Sequence, residues 1–156
     1  MNKTITFTIN GQQQTLEVEP GTMLIDLIRD QLNLTGTKRG CDNATCGSCV
    51  IIMDGKAVKS CSMPSEKADQ KNIFTIEGIS KGMHLHVIQQ ELIQSGAIQC
   101  GFCTPGIVNE LVALFDQKPN CSETEIITAI NKHLCRCTGY EPILEGTLKA
   151  QKKLLG

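Results

Sequence analysis

Gln99-Cys100-Gly101-Phe102-Cys103-Thr104-Pro105-Gly106 is the stretch on which the reading of this chain turns. Two thiols stand close together, with Thr, Pro and Gly directly behind them. Thr104 fits a helix N-cap and Pro105 the first helical position, where a missing N–H costs nothing. A helix that starts here aims its free N–H groups and its positive dipole end at the sulfurs. Downstream, Cys135-Arg136-Cys137 is followed by Thr138-Gly139. A Cys pair, a Thr and a turn into a helix thus occur twice, and four thiolates converging this way suit a negatively charged metal–sulfur centre.

A second set of thiols lies upstream, in Gly40-Cys41-Asp42-Asn43-Ala44-Thr45-Cys46-Gly47-Ser48-Cys49, with Cys61 beyond it. The C-x4-C-x2-C spacing matches the plant-type ferredoxin pattern. Glycines and small residues suit a loop wrapped round a cluster, because they let backbone N–H groups approach its sulfurs and help set its potential.

The segments around these loops are periodic. Ile5, Phe7 and Ile9, then Leu16 and Val18, alternate about a turn at Gly11 and predict a hairpin. Leu24, Ile25, Leu27 and Ile28 predict a helix from Thr22, as N-cap, to about Gln31. Val50–Met53, the Asp54-Gly55 turn and Ala57–Ser60 read as a second hairpin carrying Cys61, and Ile73–Ile76 as a further strand. The first domain is expected to end near Gly78, giving residues 1–78 and 79–156. In the second half, Leu85, Ile88, Leu92 and Ile93 predict a helix ending at Gly96. A second covers Ile107 to Phe115 and stops before Pro119. Ser122 with Glu125 is a capping box for a third, extended through Ile130 to Leu134. The last begins near Glu141. Four helices with paired thiols on their loops predict a compact bundle of approximate internal twofold symmetry.

With 156 residues, 40% hydrophobic and 3% aromatic, the chain can build cores, though thin ones. Its net charge of −1 gives no footing for nucleic acid or an anionic membrane. The N-terminus alternates like a strand and lacks the apolar run of a signal peptide, so a cytoplasmic protein is expected. No stretch approaches a membrane span. Nine Cys in that setting point to metal rather than disulfides. Zinc is the plainer metal, and Cys100-x2-Cys103 alone would fit it. The C-x4-C-x2-C loop and the tight Cys135-x-Cys137 pair favour iron–sulfur. Cys121 falls in neither quartet and is read as passive. His84 and His86 are read as capping or solvated, Tyr140 as packing beside the second centre, and Arg136 as offsetting cluster charge or facing water.

The two Cys patterns, with QCGFCTPG and LCRCTGY, resemble the small iron–sulfur subunit of the molybdenum hydroxylases, the xanthine oxidase family, over nearly the whole chain. The resemblance implies an α+β protein: an N-terminal ferredoxin-like (β-grasp) domain, then an all-α four-helix domain. It implies one [2Fe–2S] cluster on Cys41, Cys46, Cys49 and Cys61 and a second on Cys100, Cys103, Cys135 and Cys137. Gln99 sits where the family places a pterin-contacting Gln, and Cys137 takes the position of the ligand nearest the pterin. Molybdopterin, in its cytosine dinucleotide form, is expected on a large subunit and FAD on a medium one, in a hetero-oligomer such as a dimer of heterotrimers. Two departures stand out. Lys132-His133 replaces the usual Gly-Asn, where His133 is expected to alter a hydrogen bond near the second cluster. Ser48 replaces Ala, where it is expected to add one near the first.

No catalytic acid–base pair and no nucleotide-binding loop is readable. The expected role is therefore one-electron transfer within an oxidoreductase complex, with no substrate chemistry on this chain. A free-standing two-cluster ferredoxin-type carrier and a zinc-stapled interaction module are the alternatives.

Overall fold

The computed structural model covers residues 1–156. Strands β1 (Lys3–Ile9) and β2 (Gln12–Val18) form the expected antiparallel hairpin, turned by Asn10 and Gly11, both at positive φ. Strands β3 (Val50–Met53) and β4 (Lys56–Lys59) form the second, turned by Asp54-Gly55. Strand β5 (Asn72–Phe74) joins them, parallel to β1 and antiparallel to β3. The mixed sheet runs β2-β1-β5-β3-β4. The strand expected to reach Ile76 stops at Phe74, because Ile76 opens a 3-10 turn to Gly78.

Helix α1 (Leu24–Asp26) passes into a π turn (Leu27–Gln31). The wider turn absorbs one extra residue, and Leu24, Ile25, Leu27 and Ile28 all end buried. Thr22 is not its cap: Met23 takes that place without a side-chain bond. The flanking backbone is held instead by strand-like pairing, Leu24 N–H to Met63 C=O at 2.7 Å and Ser65 N–H to Thr22 C=O at 2.8 Å.

The second half holds α2 (Val87–Gln94), α3 (Thr104–Gln117), α4 (Glu123–Ile130) and α5 (Glu141–Leu155). Helix α2 packs along α5, and α3 along α4. One thiol pair lies between α2 and α3 and the other between α4 and α5. The α4 capping box forms as expected. The helix ends at Ile130, four residues short of Leu134, because the backbone at Leu134 is engaged elsewhere. Helix α3 begins one residue early: Cys103 occupies the N-cap and Thr104 the first helical position. His86 caps α2, its Nδ1 accepting from Ile88 N–H at 3.2 Å while Gln89 returns a bond to His86 N–H. His84 is exposed in a tight turn, exchanging backbone hydrogen bonds with Lys81.

Strand β3 belongs to two cores at once. Side chains alternate across a sheet, so Ile51 packs with Phe7, Leu27 and Ile73 under α1. Ile52 packs with Ile107, Leu111 and the rest of the helical core. Helix α3 lies across that outer face, and buried Asn109 donates Nδ2–H to the Val50 carbonyl at 2.8 Å. The first turn of α3 comes so close that a Cβ on Gly106 would stand 2.3 Å from the Gly47 carbonyl oxygen.

Two outcomes follow from this packing. Helix propensity alone gives Gly106→Ala a gain of about 1 kcal/mol. The collision with the Gly47 carbonyl reverses the sign, and a net loss of about 1–3 kcal/mol is expected from overpacking, read as a lower urea midpoint of the iron-loaded protein. At His86, burial depresses the imidazole pKa below its usual 6.5, with Asp116 opposing. The unfolded chain therefore binds this proton first, and the His86 contribution is complete above about pH 6.5 and declines as pH falls below it. In His86→Asn, which keeps a cap acceptor but does not titrate, that part of the pH dependence is expected to vanish from the stability profile.

Candidate metal centres

The first thiol set is folded by the loop between α1 and β3. Arg29 anchors the loop's approach, donating to the carbonyls of Thr35 at 2.9 Å and Thr37 at 2.7 Å. Arg39 bridges Asp26 and Asp42, and the Lys59 ammonium donates to the Ala44 carbonyl. Ala44 and Gly47 lie at positive φ, which curls the backbone around the thiols. A Cβ on Gly40 would approach Cys46 Sγ to 2.9 Å, so the loop is a cradle that a side chain would fill. Ile25 packs against Cys49 and Cys61 and makes a dry floor. Ser60 donates its hydroxyl to the Cys49 carbonyl at 2.7 Å, which ties the β4 end to the loop.

The electrostatics of this loop favour anionic sulfur. The N–H of Cys46, 3.4 Å from Cys41 Sγ, joined by those of Asn43 and Thr45, pulls the Cys41 thiol pKa down to about 6. Burial, then the neighbouring Cys49 and Cys41, pushes Cys61 up to about 11. Thiols that raise one another's pKa are held together as thiolates only when a cation offsets them.

The second set sits on the loops before α3 and α5. Cys137 Sγ and Cys100 Sγ are 3.6 Å apart, and both residues are exposed. Cys103 and Cys135 form the inner pair. Burial, with Cys135 and Cys100 adding to it, pushes Cys103 up to about 12. Burial raises Cys135 as well, but hydrogen bonds from Thr138 and the Cys137 N–H outweigh it and leave that thiol below its usual value. Thr138 Oγ1 lies 3.2 Å from Cys135 Sγ and accepts the Tyr140 N–H at 3.2 Å, which leaves its O–H to point at the sulfur. Tyr140, at φ +74°, does more than pack. Its hydroxyl accepts the Cys135 N–H at 2.9 Å and donates to the His133 carbonyl at 3.0 Å. Gln99 donates Nε2–H to the Cys137 carbonyl at 3.1 Å and is exposed beside it.

In both sets the thiols approach one another in twos: Cys41 with Cys46, Cys49 with Cys61, Cys103 with Cys135, and Cys100 with Cys137. Structural zinc asks four donors about one ion, whereas a [2Fe–2S] centre takes two thiolates per iron. The donor chemistry fits the binuclear group.

The two sets are also joined. Leu134, next to Cys135, donates its backbone N–H to the Cys46 carbonyl at 2.9 Å. Phe102, between Cys100 and Cys103 and 43% exposed, lies against Gly40 of the first loop. Spacing gave no sign of either link. Both departures lie against the first loop. His133 is buried and faces Gly47 of the first loop rather than a sulfur of the second set. Ser48 is buried close to Gly40. Cys121 is buried in the helical core, its sulfur 3.5 Å from Gln151 Nε2. Arg136 is exposed.

Residues 7–75 match the family described as "2Fe-2S iron-sulfur cluster binding domain", and residues 75–148 that described as "[2Fe-2S] binding domain". The nicotinate dehydrogenase small FeS subunit of Eubacterium barkeri is 40% identical over 141 residues, 90% of each chain. The xanthine dehydrogenase iron-sulfur-binding subunit of Escherichia coli O157:H7 is 42% identical over 96% of this chain and 94% of its own. Among solved structures, quinoline 2-oxidoreductase from Pseudomonas putida superposes with a TM-score of 0.90 at 36% identity, covering 97% of both chains. The aldehyde oxidoreductase from Desulfovibrio desulfuricans gives 0.93 at 38% identity over 99% of this chain and 17% of that larger one. With both halves matched in order and full-length relatives at this identity, the chain belongs to the small [2Fe–2S] subunits of the molybdenum hydroxylase family.

Proposed function

We propose that this chain is the electron-transfer subunit of a molybdenum hydroxylase, linking a molybdopterin centre on a large subunit with FAD on a medium subunit. In this reading residues 1–78 and 79–156 each hold one [2Fe–2S] group. Cys41, Cys46, Cys49 and Cys61 bind the first, and Cys100, Cys103, Cys135 and Cys137 the second. Each bound group supplies a site that takes and returns one electron. The observation that carries the reading is the hydrogen bond from Leu134 N–H to the Cys46 carbonyl. It joins a residue of the first quartet to the neighbour of Cys135 in the second, so that a path of covalent bonds interrupted by one hydrogen bond connects the two sets of sulfurs.

The chain's own residues complete the arrangement. Cys100 and Cys137 lie at the surface with Gln99 beside them. This is the face for the pterin, taken in its cytosine dinucleotide form, with the Gln99 amide held in place by the Cys137 carbonyl. Cys41 is partly exposed at the other set, followed by exposed Asp42 and Asn43, a face suited to the flavin subunit. Ile25 and the helical core keep water from the inner thiols. Substrate chemistry is assigned to the large subunit, and a hetero-oligomer such as a dimer of heterotrimers is the assembly this implies. The zinc and free-standing-carrier alternatives gain no support. The relatives named above include iron–sulfur subunits of dehydrogenases.

The reading is tested by iron analysis and spectroscopy. About four iron per chain are expected. Cys46→Ser and Cys103→Ser should each abolish one of two paramagnetic signals of the reduced protein and spare the other. A colourless zinc protein, or loss of neither signal, refutes the reading. Thr138→Val removes the donor to Cys135 sulfur, a bond that favours the more negative, reduced state. A fall in that cluster's potential of roughly 20–60 mV is expected, the one-electron equivalent of about 0.5–1.5 kcal/mol, measured by redox titration.

A further inference from the structure

His133 and Glu110 belong to neither quartet, and the electron-transfer reading makes no use of them. His133 is fully buried, and neither ring nitrogen makes a hydrogen bond. An unpaired imidazole inside a protein is costly, and a Leu or Phe would fill the same space without that cost. A carboxylate stands beside the ring. Its Nε2 lies 3.7 Å from Glu110 Oε2, beyond hydrogen-bond range but close enough for electrostatic attraction. Glu110 is 7% exposed and extends its other oxygen to Lys132 Nζ at 2.6 Å.

The other edge of the ring lies on the first thiol loop. A Cβ on Gly47 would come within 2.5 Å of His133 Nδ1 and 2.6 Å of the Lys132 carbonyl oxygen. The Gly47 carbonyl presses in turn against Gly106 in the first turn of α3. Gly47 is thus held between the imidazole and the helix. Its chain neighbour, Cys46, offers the carbonyl that accepts the Leu134 N–H, and Leu134 directly follows His133.

We propose that His133, tethered by Glu110, is a positioning residue that wedges the Gly47 peptide against α3 and so holds the Cys46 carbonyl on the Leu134 amide. This rests on the electron-transfer reading and adds the part that sets how strongly the two quartets communicate. Leu134 follows the end of α4 and its side chain is 60% exposed; Tyr140 bonds the His133 carbonyl and the Cys135 N–H on either side of it, and the Cys46 carbonyl alone takes its own amide. Electron tunnelling decays steeply when a bonded path opens into a gap, so a small displacement of the Gly47 loop weakens the connection without removing a single ligand.

The experiment compares iron-loaded wild type, His133→Ala and Glu110→Gln. Amide hydrogen exchange at Leu134 is measured in the oxidised state. The spin–spin splitting between the two paramagnetic signals is measured in the fully reduced state. Both report on the contact rather than on turnover. In His133→Ala, exchange at Leu134 is expected to quicken by about tenfold, the scale of one lost hydrogen bond, and the splitting to shrink, with both signals and exchange in α5 unchanged. Glu110→Gln, equal in shape but uncharged, is expected to move both readouts the same way by less. If His133→Ala does not retain iron, Glu110→Gln decides alone. Unchanged exchange at Leu134 together with unchanged splitting in an iron-loaded variant overturns the proposal. A wild-type protein without two distinct [2Fe–2S] signals overturns the electron-transfer reading instead, which is a separate result.

Discussion

The meeting of the Cys46 carbonyl with the Leu134 amide at 2.9 Å requires two loops from opposite halves of the chain to run almost in van der Waals contact. Loops that carry thiol quartets repel one another electrostatically and bury little apolar surface, so they do not come together unaided. Here the approach is set by what lies beneath. Helix α3 crosses β3, and its first turn meets the Gly47 carbonyl at a distance that admits no side chain on Gly106. Buried Asn109 holds the Val50 carbonyl a few residues further on. The geometry of the two centres is thereby inherited from helix-on-sheet packing.

Each quartet solves the same electrostatic problem differently. The first relies on backbone N–H groups of a curled loop, which favour the Cys41 thiolate, over a floor provided by Ile25. The second relies on side-chain hydroxyls: Thr138 toward the Cys135 sulfur, and Tyr140 spanning the Cys135 N–H and the His133 carbonyl. The first centre is insulated by backbone and the second by replaceable side chains, so point substitution can adjust the second more readily than the first.

Much of this was readable from residue order. The Cys spacings, the turns at Gly11 and Asp54-Gly55, and the Ser122 capping box are local signals with local causes, and they reappear in place. What could not be read depends on partners distant in sequence. Thr22 loses its cap role because Met63 and Ser65 pair with the backbone there. Helix α4 stops before Leu134, although apolar spacing continues, because Cys46 claims that amide. His133 shows in the sequence only as a departure from the usual Gly-Asn, since its surroundings are Glu110 on α3 and Gly47 in the other half. The sequence marks ligands, but the contacts that hold ligands relative to one another are long-range.

Strand β3 contributes Ile51 to one apolar cluster and Ile52 to the other. The two family matches divide the chain at residue 75, yet a cut there would strip α3 from the sheet and leave Ile52 and Phe74 facing solvent. The shared strand couples the halves: removing either one exposes apolar surface that the other covers. Unfolding of either half therefore reaches the other through β3, whereas the loss of one iron centre leaves that shared strand in place.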